Sequence, residues 1–290
     1  MCIVGPGRLG TALALSLRRV GWRVPVLVVR RQSRLNKQVA QLAGKLRAQV
    51  LELGKMPLPP SLVWITVPDT AIETVASRLA SQQDWKGRVV FHSSGALTSD
   101  ALQCLRGRGA SVASVHPGMT FADGTAPDLS DVPFGVEGDA IAVRLAKQII
   151  RELGGTAVTI RKENKVLYHA FDAFASPLLV ALMAVLEDVG EQAGISRQAV
   201  AEMAGPLLQQ TLNNYLQHGT SRAFTGPFTR GDTTVIERHL DALQDVSHAR
   251  DVYLALAKAA LKNLPVKNRS RIRGLLNPTL SKRRAGWGTQ

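Results

Sequence analysis

Three glycines near the start of the chain constrain its fold more than any other feature. Gly5, Gly7 and Gly10 stand in the spacing G-x-G-x-x-G, written out as Gly5-Pro6-Gly7-Arg8-Leu9-Gly10. They follow the short apolar run Met1-Cys2-Ile3-Val4 and precede an apolar-periodic stretch from Thr11 to Val20. A strand, a glycine turn and a helix in this order are the parts of a dinucleotide-binding unit. Gly5 permits the tight bend, Gly7 lets a pyrophosphate approach the backbone, and Gly10 lets the helix pack on the strand. The N–H groups that open the helix have no partners within it and suit an anion. Cofactor contacts are therefore expected from Gly5, Pro6, Gly7, Arg8, Leu9 and Gly10.

Trp22 to Val29 reads as a second strand, ending in Arg30-Arg31-Gln32-Ser33-Arg34. This lies about 20 residues beyond the last glycine, where the ribose-reading residue of such units stands. An acidic side chain there accepts from a ribose hydroxyl, as NAD requires. Here Arg30, Arg31, Ser33 and Arg34 occupy the region, and a guanidinium clamps a 2′-phosphate through paired hydrogen bonds. NADP is the cofactor expected.

The chain beyond alternates helix and strand. A helix to about Leu46, a strand Ala48 to Leu51 and a loop at Pro57-Leu58-Pro59-Pro60 come first. Leu62 to Val67 is the continuous apolar run of a parallel strand buried on both faces, and Pro68-Asp69-Thr70 ends it. Its carboxyl end faces the cofactor crevice, which adds Val67, Pro68 and Asp69 to the expected cofactor contacts, with capping of the helix Ala71 to Leu79 the other role open to Asp69. Strands Gly87 to Phe91 and Ser111 to Val115 run into His92-Ser93-Ser94-Gly95 and His116-Pro117. Ser93 is expected at the cofactor, and Ser94 and His116 at the substrate, because an open α/β sheet places ligands at these ends. Pro133 to Val136, a helix Ala140 to Leu153 and a strand Thr156 to Ile160 close the first domain. The fold class expected is thus a doubly wound, mainly parallel α/β Rossmann domain over residues 1–161.

From Glu163 the period is helical throughout. One long helix from Glu163 to about Ala193, kinked at Pro177, is followed by helices at Ser196 to Gln217, Thr233 to Leu243 and Ser247 to Asn263, giving an all-helical domain over 162–266. Within the long helix Lys165, His169, Asp172 and Ser176 fall at i, i+4, i+7 and i+11, on one face. Past Pro177 that face turns apolar, so its polar half is expected to line a wet cleft, where an ammonium and an imidazole can donate a proton to a carbonyl or imine. The alternative is an exposed face with a weak Lys165–Asp172 pair. Arg230, in the loop Thr225 to Asp232, reaches an anionic substrate group or simply precedes a helix capped by Asp232.

The formal charge of +14 is concentrated at the ends: about +10 over residues 1–60, about −5 over 61–257 and about +9 over 258–290. Such ends can bind nucleic acid through phosphates, but no nucleic-acid motif accompanies them, and that reading ranks second. Residues 267–290 are expected to be a basic tail, dispensable for cofactor binding and disordered at its end. Cys2 and Cys104 fit neither a disulfide framework nor a metal site. No signal peptide and no apolar run near the roughly 20 residues of a membrane span are apparent, so the cytoplasm is the expected compartment.

Gly5-x-Gly7-x-x-Gly10 with Arg30, Val67-Pro68-Asp69, His92-Ser93-Ser94-Gly95, His116-Pro117, Tyr168-His169-Ala170, Phe174-Ala175-Ser176 and Gly226-Pro227 with Arg230-Gly231-Asp232 together resemble a Rossmann-like family with an all-helical C-terminal domain of unknown function. More distantly the chain resembles dehydrogenases with a 6-phosphogluconate dehydrogenase-like helical domain, among them pyrroline-5-carboxylate reductase, ketopantoate reductase and the β-hydroxyacid dehydrogenases. In the last of these a Lys and an Asn four residues apart act at the substrate, and Lys165 and His169 match them, with His in place of Asn. The resemblance implies an NADP-dependent oxidoreductase acting on a small molecule at an interdomain cleft, dimeric through its helical domain. A non-enzymatic NADP(H)-binding sensor or scaffold is the alternative.

Overall fold

A computed structural model describes residues 1–30, 37–55, 58, 61–121, 127–246 and 248–277. Arg31, Ser33 and Arg34, the prolines of the 57–60 loop and the last 13 residues of the tail lie outside them. The described chain divides into two compact units, Met1–Ser176 and Pro177–Gln290.

The first unit is an eight-stranded sheet in the order β3-β2-β1-β4-β5-β6-β7-β8, with β1 Cys2–Val4, β2 Val26–Val29, β3 Gln49–Glu52, β4 Leu62–Ile65, β5 Val89–His92, β6 Ser111–Pro117, β7 Pro133–Gly138 and β8 Thr156–Thr159. All neighbours pair parallel except β6 and β7. The strand order reverses at β1 and β4, where a doubly wound sheet opens its ligand crevice.

The apolar runs make these strands because both faces are covered. Ile3, Leu27, Trp64 and Phe91 are mutual partners across β2-β1-β4-β5 and point to one face, where they pack with Leu13 and Leu17 of α1 (Arg8–Arg19) and Ile149 of α5 (Ala140–Glu152). Their sequence neighbours Cys2, Val4, Val26, Val28, Val63, Ile65 and Val90 point to the other, against Ile72 and Leu79 of α3 (Asp69–Ala80) and Leu105 of the short α4 (Gln103–Arg106). Period-2 alternation thus feeds two cores. The helix α2 (Lys37–Leu46) joins the first of these cores through Leu42, beside α1 and Leu27 of β2.

Several boundaries move. The second strand is only Val26–Val29, since Gly21 turns the chain at φ +90° and Trp22 belongs to that turn. The strand through His116 is longer than expected, because antiparallel β7 continues the ladder past Val115 to pair His116 with Gly135. The long helix is two: α6 (Lys165–Ala175) ends at Ser176, whose φ −132° and ψ −82° are not helical, and α7 (Pro177–Gln192) starts afresh with proline at its first position. Proline there removes an N–H that would be unsatisfied anyway, so it starts a helix instead of kinking one. The division falls at this break, so α6 packs with the sheet although its sequence reads as the start of the helical region.

The second unit holds α7, α8 (Arg197–Ala223), the single turn α9 (Pro227–Arg230), α10 (Thr233–Ala242), α11 (Ala249–Asn263) and α12 (Arg269–Leu275). Ser196 caps α8 by accepting from the Ala199 N–H at 3.3 Å. Its core joins Ile236, Leu240, Ala257, Leu261, Val266, Ile272 and Leu276. The expected basic tail is therefore corrected in its first half: Arg269, Arg271 and Arg273 alternate with Ile272 and Leu276, fully buried, so a charge-rich composition conceals an amphipathic turn.

Residues 162–192 also correct the expectation that no apolar run reaches membrane-spanning length. The stretch is 31 residues long and its most apolar window has a mean hydropathy of 1.7. The break at Ser176 and the buried Lys165 interrupt it.

Candidate functional site

The glycine turn behaves as its spacing demands. Gly5 has φ +85°, and a Cβ there would lie 2.5 Å from Val67 Cγ1. At Gly10 a Cβ would meet Thr66 Oγ1 at 2.6 Å and the Gly5 carbonyl at 2.7 Å, so helix and strand touch only because it is glycine. Gly7 faces open space, as a backbone that receives a phosphate must, and no side chain caps α1, which starts at Arg8 and Leu9. Beside the turn lies a cavity of about 540 Å³ lined by Gly5, Val28, Val29, Arg30, Val67 and Pro68 among others. Gly5, Arg30, Val67 and Pro68 are thus brought together by the carboxyl ends of β1, β2 and β4.

Asp69 has a different task from the cap considered for it. Pro68 holds the capping position of α3, and the Asp69 carboxylate accepts from Ser94 Oγ at 2.7 Å. Ser94 Oγ also accepts the N–H groups of Leu97 (2.8 Å) and Ala96 (3.2 Å). One hydrogen and two lone pairs are all a hydroxyl has, so Ser94 is committed to shaping the turn. Ser93 is turned inward: its Oγ accepts from Trp64 Nε1 at 2.8 Å, inside the core. His92, wholly buried, accepts the Ser94 N–H on Nδ1 and donates from Nε2 to the Thr98 carbonyl. Burial lowers its pKa to about 4, so it stays neutral.

The polar face of α6 lies over these strand ends. Lys165 is completely buried and its ammonium has no hydrogen-bonding partner among the described residues; it stands 5.3 Å from the centroid of the Tyr168 ring. Burial lowers its pKa to about 8, against the pull of the Glu137, Asp172 and Asp69 carboxylates. The weak surface pair of Lys165 with Asp172 does not form. Instead Asp172 Oδ2 lies 3.3 Å from His116 Nε2, while His116 Nδ1 donates to the Ser93 carbonyl at 2.9 Å. Tyr168 sits against the same carboxylate; burial and then Asp172 push its phenol up to about 12. His169 is exposed, its ring centroid 6.1 Å from that of His116.

Two glycines admit this cluster. A Cβ at Gly95 would lie 2.5 Å from His169 Cδ2 and 3.0 Å from the His116 ring, and one at Gly135 would lie 2.7 Å from Tyr168 Cζ. Sequence reasoning named Gly95 and Tyr168 only within the motifs of the resemblance, without a role, and missed Gly135 and Glu137. Tyr168 was within its reach, standing three residues after Lys165 and four before Asp172 on the same helix face. Glu137, on β7, accepts from the backbone N–H and hydroxyl of Ser99 and carried no local signal.

Arg230 belongs to the second unit, where its Nε donates to Asp232 at 2.8 Å. Asp232 occupies the capping position of α10 but spends its carboxylate on that pair.

Residues 1–117 match the family model of a Rossmann-like domain, and residues 132–260 match a domain of unknown function, DUF2520. The chain is a Rossmann-like protein with a DUF2520 domain. The DUF2520 match takes in β7, β8, α6 and most of the helical unit, so it includes Glu137, Lys165, His169 and Asp172. No curated protein matches the chain. Solved structures share the fold of this Rossmann-like protein: a Bacteroides fragilis protein assigned to the NADP oxidoreductases at 20% identity and TM-score 0.71, over 89% of this chain and 96% of that one. A Thermotoga maritima protein aligns at 23% identity and TM-score 0.71, over 96% and 99%. A reductive aminase from Aspergillus terreus, in complex with NADPH and ethyl levulinate, aligns at 17% and 0.63, over 96% and 98%. The Rossmann fold and the helical C-terminal region expected from the residues are borne out.

Proposed function

We propose that this chain is an NADP-dependent oxidoreductase that reduces a small carbonyl or imine compound, with Lys165 and His169 as its proton-donating groups. The observation that carries the reading is the Lys165 ammonium, wholly buried with no hydrogen-bonding partner among the described residues, on a helix face shared with His169 and Asp172. A buried cation without an acceptor costs stability, and a substrate oxygen or nitrogen is the acceptor that relieves it. A donor with a pKa of about 8 is also suited to giving up a proton near neutral pH.

The turn fits the cofactor. Gly5, Gly7 and the start of α1 would hold the pyrophosphate, with Gly10 keeping helix and strand in contact; the cavity beside Val28 and Val67 would take the adenosine, and Arg30 would pair with the 2′-phosphate. When bound, the reduced nicotinamide supplies a hydride. His116 and Asp172 orient the face from which Lys165 acts, Gly95 lets His169 close on it, and Ser94 fixes the turn through Asp69. The solved relatives described as NADP oxidoreductase and as reductive aminase support both class and cofactor.

A homodimer and a cytoplasmic setting belong to the same reading. Val166, Leu167, Phe171 and Phe174 of α6 are 65–73% exposed, and Met203, Leu207 and Leu216 of α8 are 64–70% exposed. An isolated protein rarely leaves so much apolar surface in water, and a bilayer is a poor occupant for a stretch broken at Ser176 that carries Lys165 and Asp172. A second copy of the chain is the occupant we assign. The test of function is NADPH oxidation against keto acids, cyclic imines, and ketones paired with amines; no turnover across the panel with NADPH bound would leave the sensor reading in its place.

A further inference from the structure

The Lys165 ammonium keeps its place without a hydrogen bond. A flexible four-carbon stem carries it, and it is fully buried with no hydrogen-bonding partner among the described residues. Three carboxylates draw it, Glu137 of β7, Asp172 of α6 and Asp69 of α3, and the imidazoles of His92 and His116 feel its charge from β5 and β6. Two of those carboxylates are engaged elsewhere: Glu137 accepts the backbone N–H and the hydroxyl of Ser99, and Asp69 accepts from Ser94. Asp172 lies against His116. What does stand beside the ammonium is the ring of Tyr168, three residues along the same helix, with Nζ over it at 5.3 Å from the centroid.

The ring is fixed by the sheet beneath it. β6 and β7 pair His116 with Gly135. A Cβ at Gly135 would lie 2.7 Å from Tyr168 Cζ and 2.9 Å from Cε1, so the ring reaches the strand only because glycine stands there. The His116 imidazole meets the ring edge-on, with centroids 5.9 Å apart and an interplanar angle of 84°. Burial, and then the Asp172 carboxylate, push the phenol up to about 12, so it stays protonated at neutral pH. It is then neither an ion-pair partner for the ammonium nor a ready proton donor. Its contribution is the electron-rich face of the ring, which attracts a cation, and does so more strongly where water is excluded. A neutral ring holds the charge less tightly than a carboxylate at hydrogen-bond distance would. The ammonium is thus placed and still able to give up its proton.

We propose that Tyr168 is the positioning residue for Lys165, its ring face, pinned on Gly135, holding the ammonium where a substrate oxygen or nitrogen meets it. The contact stands by itself; its consequence for turnover rests on the reduction proposed above. There Lys165 gives the proton that the substrate oxygen or nitrogen takes, and Tyr168 gives none.

The experiment follows the Lys165 side chain by NMR of the full chain from about pH 6 to 11, using the lysine signal that disappears in Lys165→Met. Tyr168 is replaced by Phe, by phenylalanine carrying one, two or three ring fluorines, and by Leu. Fluorine drains the ring face of electrons with little change of shape, so the series alters the attraction while keeping the packing. Tyr168→Phe should titrate within about twofold of the native protein in proton affinity, because both rings present a similar face. Each added fluorine should lower the affinity further, and Tyr168→Leu should lower it by roughly 5- to 30-fold. A midpoint that does not move along the fluorine series, or Tyr168→Phe falling as far as Tyr168→Leu, overturns the contact. These titrations need no substrate, so they decide the contact even if the reductase reading fails. Where a substrate turns over, kcat falls as pH rises through the Lys165 midpoint. That limb should move to lower pH along the fluorine series by the factor seen in the titration, with NADPH affinity unchanged. A limb that stays in place while the titration moves overturns the role of Tyr168 in turnover.

Discussion

Lys165 offers the most quantitative test. A free lysine titrates at 10.5, whereas burial brings this one to about 8. Between those values the unfolded chain binds the proton and the folded chain does not, so stability rises with pH across that window. Below pH 8 the ammonium is charged in both states and its full cost is present. A fall of this size corresponds to about 3 kcal/mol. Lys165→Met keeps a similar volume and removes the charge, and the attractions of Glu137, Asp172 and Asp69 are already included in the net fall. The variant should therefore be more stable than the native protein by about 3 kcal/mol at pH 7, by less at pH 9, and by almost nothing near pH 10.5. Trp64 and Trp85 are fully buried in the first unit, so their fluorescence during urea unfolding reports it. The same variant should lose about 10² or more in turnover while NADPH affinity stays within a few fold. A variant no more stable than native at pH 7, or a difference that does not shrink between pH 8 and 10.5, would refute the claim that this ammonium is buried without a hydrogen-bonding partner.

Arg30→Asp should narrow or reverse a preference for NADPH over NADH that one charge-assisted contact sets at roughly 10- to 100-fold; coincident titrations of the native protein with both cofactors would dismiss it. Gly95→Ala places a methyl group against His169 and His116 and should cost about 1 to 3 kcal/mol and most of the turnover, measured by thermal unfolding beside NADPH oxidation. His92 is neutral when folded, with a pKa of about 4, so the native protein should lose about 3 kcal/mol of stability as pH falls from 6.5 to 4, and His92→Gln should lose less; parallel acid-unfolding curves would count against it. Truncation after Asn277 should leave the helical unit intact, whereas truncation after Val266 removes the buried Ile272 and Leu276 and should destabilise it by several kcal/mol, read by circular dichroism. Any affinity of the basic ends for duplex DNA should fall steeply with salt; binding that survives raised salt would point to a specific contact.

Much of this was legible in the residues because its causes are local. A G-x-G-x-x-G turn between an apolar strand and a helix admits few backbones, and Leu62 to Ile65 can only be a strand covered on both sides. The stripe Lys165, His169, Asp172 follows from helical period alone. Other features were misread where local and long-range causes compete. Pro177 starts a helix because Ser176 leaves the helical region, and residues 269–276 fold because a distant apolar core receives Ile272 and Leu276.

The partners of each polar group were beyond sequence. Ser94 and His116 look equally available as strand-end residues, yet Ser94 exhausts its hydroxyl on Asp69, Ala96 and Leu97, and His116 meets a carboxylate 56 positions further along the chain. Period and spacing determined which side chains share a face and which backbone must be glycine, since those depend on residues a few positions apart. Tertiary structure alone decided charge state and availability. Both depend on what burial removes and what distant strands bring within about 3 Å, as with a lysine left without an acceptor and a histidine held between two.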